Sequence, residues 1–78
     1  MRSGQVLSEA ALLAEAQSAL TASGMSQTDL ARVLKRHRST VSRALSETGG
    51  TFTGVQREII SYLTDFEVRE AFVVERKA

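Results

Sequence analysis

Ser26-Gln-Thr-Asp-Leu-Ala-Arg-Val-Leu-Lys-Arg-His-Arg-Ser-Thr-Val-Ser-Arg-Ala-Leu45 decides the fold of this chain. Leu30, Ala31, Val33 and Leu34 recur at helical spacing, Lys35–His37 break the rhythm, and Val41, Ala44 and Leu45 restore it. The segment therefore reads as two short amphipathic helices joined by a basic turn. Ser26 is placed to cap the first of them, with Asp29 three residues on as an imperfect capping-box partner. The second, predicted over 38–46, has its apolar residues on one side and small polar or cationic ones on the other.

Outward from this stretch the pattern stays helical. Ser8 is placed as an N-cap, and Leu12, Leu13, Ala16, Ala19 and Leu20 form one face of a helix over Ala10–Ala22 that Gly24 should stop. After the turn Thr48-Gly-Gly-Thr51, Thr53 or Gly54 can cap a fourth helix with Val55, Ile59, Ile60 and Leu63 on its inner face. The last segment reads two ways. Thr64 with Glu67 suits a capping box for a fifth helix to about Arg76, whereas the alternation of Phe66, Val68, Phe72 and Val74 favours strand; the reading leans to helix. The expected organisation is a loose end at 1–6, a domain over 7–65 and a tail over 66–78, all-α with four to five helices.

Composition narrows the function. A chain of 78 residues with no cysteine has neither disulfides nor a cysteine zinc site to support a small core, and its one histidine cannot build a metal centre. No apolar run approaches the roughly 20 residues of a membrane span, and no basic region followed by an apolar stretch opens the chain. A soluble, cytoplasmic protein without cofactor or small-molecule ligand is the expectation. The net charge of +1 is unevenly placed: residues 26–46 hold five cations against one acid, a balance of +4, and the remainder holds five against eight, −3. That asymmetry turns one face toward a polyanion. Ser39, Thr40 and Ser42 have no partnering base, and Tyr62 lies by the apolar face of the fourth helix, so an enzyme is not expected.

The pattern Ser-Gln-x-x-Leu-Ala-x-x-Leu, a turn, then Ser-Thr-Val-Ser-Arg resembles the helix-turn-helix of lambda-repressor-like (Cro/C1, XRE-type) regulators. Ala31 matches the small residue where the two helices cross, and Leu30, Leu34 and Val41 match the apolar positions that set their angle. Two positions depart from it. Lys35 stands where a glycine with positive φ is usual, and Arg36 stands where an apolar plug is usual. The string Arg36–Arg43 is similar to the N-terminal helix-turn-helix of IS30-type transposases, in which a basic turn is common.

The resemblance implies a sequence-specific duplex-DNA-binding regulator, a repressor that binds a palindromic operator as a homodimer with the 38–46 helix in the major groove. It assigns base reading to Arg38, Ser39, Ser42 and Arg43, and backbone contacts to Gln27, Lys35, Arg36, His37, Thr40, Thr51 and Thr53. Phe66, Val68, Phe72 and Val74 need cover that a small domain has little core to provide, which points to a dimer interface. Two alternatives stand: a protein-interaction module such as an antitoxin or anti-repressor, and the detached recognition domain of a transposase.

Overall fold

The computed structural model describes residues 1–77. It contains four α-helices and a C-terminal hairpin: α1 (Glu9–Ser23), α2 (Gln27–Leu34), α3 (Arg38–Ala44), α4 (Thr53–Leu63), β1 (Phe66–Arg69) and β2 (Val73–Arg76). The fold is thus mostly helical rather than all-α, and the fifth helix expected in the tail is a pair of strands.

Local chemistry explains most boundaries. The Ser8 hydroxyl accepts from the Ala11 amide at 3.1 Å to open α1, and Gly24 closes it at φ 72°. Ser26 opens α2 in the same way, accepting from the Asp29 amide at 3.0 Å. α3 stops at Ala44, two residues earlier than its sequence pattern predicts. α4 has no side-chain cap from Thr53 or Gly54; it continues directly from a 3-10 turn over Gly50–Phe52. Gly49 enters that turn at φ 71°, where a Cβ would stand 2.6 Å from a Glu9 carboxylate oxygen. The Glu9 carboxylate could swing aside, but the backbone at φ 71° and ψ −152° is one that glycine alone adopts readily.

The core forms where α1 packs along α4, with α2, α3 and β1 also packed against α4. Leu12, Leu30, Val41, Ile59, Ile60 and Val74 are among the fully buried side chains. In the hairpin Val68 pairs with Val74 and Arg69 with Val73, antiparallel. Val68 and Val74 therefore share one face, and both are buried in the core.

Two features overturn the helical reading of the tail. Thr64 does not cap a following helix; its hydroxyl donates to the Ile60 carbonyl at 2.7 Å and accepts from the Phe66 amide at 3.1 Å, ending α4 and launching β1. The turn over Glu70–Phe72 places Ala71 and Phe72 at φ 63° and 54°, without the glycine that marks such turns. The first residues are likewise not a loose end. Gly4 donates to the Val74 carbonyl at 2.7 Å, Val74 donates to Gln5 at 2.8 Å, and Leu7 donates to Phe72 at 2.9 Å. Val6 bridges Val73, so the N-terminal segment lies against β2 as a third, antiparallel edge.

Candidate nucleic-acid interface

The turn between α2 and α3 is built around Lys35, at φ 56° and ψ 45°. The Lys35 amide donates to Arg32 O at 3.2 Å and the Arg36 amide to Ala31 O at 2.9 Å. This is the Schellman arrangement, which satisfies two carbonyls at the end of α2. The positive φ that is usual at this place in the resembled turn is present here, with a lysine carrying it. In a Schellman motif the residue after the left-handed one normally plugs into the helix. Arg36 does this through charge: its Nε and Nη2 lie 3.1 and 2.8 Å from the two carboxylate oxygens of Glu58 on α4. The pair holds the Arg36 guanidinium above its ordinary pKa range, first by the hydrogen bond and then by Coulomb attraction. Arg36, expected on the DNA backbone, is paired with Glu58 here and ties the turn to α4.

α3 divides cleanly. Val41, Ala44 and Leu45 are buried. Ser39, Ser42, Arg43 and Ser46 follow one another at spacings of three, one and three, which aligns them on the opposite side; Ser42 is half-buried and the others exposed. Arg38 sits on the flank nearer α2, where its Nε donates to the Thr28 hydroxyl at 3.0 Å. Thr40, half-buried, takes the other flank. His37 occupies the N-cap position of α3 but makes no side-chain cap bond. Gln27 begins α2, and Thr51 and Thr53 lie at the start of α4, where the Thr53 hydroxyl donates to Gly50 O at 3.4 Å. The base-reading candidates thus come together on one helix, and Lys35 and His37 extend that exposed basic strip into the turn.

The far end of α3 is held by two amides that sequence reasoning missed. Gln56, fully buried on α4, donates to Ala44 O and Glu47 O, both at 2.8 Å. Gln17 on α1 donates to Leu45 O at 2.8 Å. Capping carbonyls at a helix end removes the cost of leaving them unpaired and fixes its orientation. A signal was present for Gln56: it lies among Val55, Ile59 and Ile60 on an otherwise apolar face. Its Oε1 is buried without a partner. Thr28 and Glu58, which hold Arg38 and Arg36, had no comparable local signature.

The four dimer candidates separate. Val68 and Val74 are spent on the chain's own core, because they share the hairpin face that turns toward it. Phe66 and Phe72 are half-buried and pack against that core. No described helix is long and apolar enough to cross a membrane.

Comparison with curated proteins and with solved structures gives no match. A family model described as the antitoxin Xre-like helix-turn-helix domain matches residues 4–64, from the N-terminal edge segment to the end of α4. On that match the chain belongs to the Xre-like helix-turn-helix family.

Proposed function

We propose that this chain binds duplex DNA sequence-specifically as a transcriptional repressor, using α3 as the reading helix. The observation that carries the reading is the division of α3 into a buried apolar side and an exposed polar side within the one strongly basic segment of the chain. An exposed helix face bearing arginine and hydroxyls meets what the major groove offers: guanine O6 and N7 for Arg38 and Arg43, mixed donors and acceptors for Ser39 and Ser42. Lys35, His37 and Thr40 flank that face and suit phosphate contacts, which set register rather than sequence. Gln27, Thr51 and Thr53 are placed to add neutral ones.

Two copies acting on a near-palindromic operator complete the proposal, with the reading helices about 34 Å apart. Phe66 and Phe72 keep exposed area that a second copy can cover, whereas Val68 and Val74 do not. The antitoxin reading draws support from the family's own description; there the same DNA-binding face would serve a protein whose remaining surface meets a partner.

Selection of bound duplexes from a random library, with a sizing measurement on the free protein, tests the proposal. Two inverted half-sites about one helical turn apart are expected. Arg38→Ala should lower affinity for the selected duplex roughly tenfold or more and relax one base position. Absence of any enriched duplex overturns the proposal.

A further inference from the structure

Arg43 is the most constrained residue on the outward face of α3. Its Nε donates to Glu47 Oε2 at 3.0 Å, one turn further along the chain. Its guanidinium carbon stands 4.9 Å from the centre of the Phe52 ring. Phe52, half-buried in the turn before α4, packs against the core, and the Glu47 carbonyl is fixed by the buried Gln56 amide at 2.8 Å. The ring that covers Arg43 and the backbone that carries the Glu47 carboxylate are thus themselves anchored. Arg38, by contrast, is held only by a neutral hydroxyl.

Resting on the DNA-binding reading above, we infer that Glu47 and Phe52 are specificity-determining positioning residues that commit Arg43 to a base edge and keep it off phosphate. A guanidinium has five N–H donors in a planar fork. With Nε engaged and one face covered by the ring, the terminal amino groups remain, and they take no hydrogen bond among the described residues. Two parallel N–H groups suit guanine O6 and N7. A phosphate approaching the same fork would bring its charge beside the Glu47 carboxylate, and the repulsion offsets the attraction of Arg43. A guanine edge carries no net charge and escapes that penalty. The held side chain also gives up less rotamer freedom on binding.

The test compares the wild-type chain with Glu47→Gln and Phe52→Leu in duplex selection, and measures salt dependence on the selected duplex and on a scrambled one. Glu47→Gln should tighten binding to the scrambled duplex about fivefold, steepen the salt slope by about one unit, and flatten preference at one position of each half-site. Phe52→Leu should flatten the same position with the salt slope unchanged, and Phe52→Tyr, which keeps the ring, should retain the preference. A purely structural role would move melting temperature without a position-specific loss. Glu47→Gln with the wild-type base preference and unchanged scrambled-duplex affinity overturns the inference. A wild-type chain that selects no duplex shows instead that the DNA-binding reading has failed, before any variant is compared.

Discussion

In and just after α3, Val41, Ala44 and Leu45 are buried while Arg38, Ser39 and Arg43 stand in solvent; in the hairpin, Val68 and Val74 are buried while Arg69 closes on two acids. Arg69 pairs with Glu67 on its own strand and with Glu75 across the hairpin, and those two acids raise its pKa, Glu75 most. Lys35 and Arg38 have no acidic partner among the described residues, so their charge remains directed outward. Both regions contribute apolar side chains to one core, but the helix-turn-helix turns Lys35 and Arg38 outward without acidic partners, whereas the hairpin pairs Arg69 with two acids and lays Arg76 over the Phe66 ring. The comparison shows what the hairpin is for. It completes a core that 78 residues with short helices supply sparingly.

The comparison breaks first at Val74, which is fully buried and opposite Val68. Val74→Ala should cost about 2 kcal/mol, removing transfer energy and leaving a cavity. The melting temperature should fall by roughly 10 °C in one cooperative transition. A hairpin that melted alone, leaving α3 protected in amide exchange, would make it an accessory rather than part of the core. Gln56→Leu comes next. It leaves the Ala44 and Glu47 carbonyls without their donor, at a cost of about 1 kcal/mol after the gain in apolar volume and the loss of the unpartnered Oε1 are allowed for. Exchange should quicken at residues 44–47 and leave the hairpin unchanged.

Lys35→Gly tests the turn from the stabilising side. The left-handed conformation costs a lysine on the order of 1 kcal/mol, so glycine should raise stability by up to that amount, less its own entropy in the unfolded chain. Thermal unfolding measures it, and a loss of stability would show that the Lys35 side chain contributes packing that outweighs the strain. Smallest is Glu58→Gln. The Arg36–Glu58 pair is over a third exposed on both sides, so even its bidentate geometry is worth at most about 1 kcal/mol, less in high salt. The expected decrease is about 0.5 kcal/mol in low salt, fading as salt rises.

Where a residue's partner lies within a turn or two along the chain, the fold could be read from the sequence. Ser8, Gly24 and Ser26 mark their helix ends, and the periodicity of 30–45 separates the buried from the exposed side of α3 correctly. The positive φ of Lys35 is what the resemblance implies, since a glycine is usual at that place in the turn. What stayed hidden depends on distant partners. Glu58 meets Arg36 from 22 positions away, and Gln17 reaches Leu45 across 28. Neither distance leaves a local pattern. The hairpin was ambiguous for another reason: Ala71 and Phe72 take left-handed conformations that glycine or asparagine normally announces, so the alternation of apolar residues had no visible turn to fold around. The N-terminal segment has the same difficulty, since its strand character comes entirely from β2 at the other end of the chain.

Amide chemical-shift perturbation of the labelled chain, titrated with a duplex obtained by selection, tests the central claim most directly. The division between the two regions predicts the largest shifts at Lys35–Ser46, smaller ones at Gln27 and Thr51–Thr53, and almost none at Glu67–Arg76 beyond those of a dimer contact at Phe66 and Phe72. Shifts concentrated on the hairpin, with Arg38, Ser39, Ser42 and Arg43 unmoved, would contradict it.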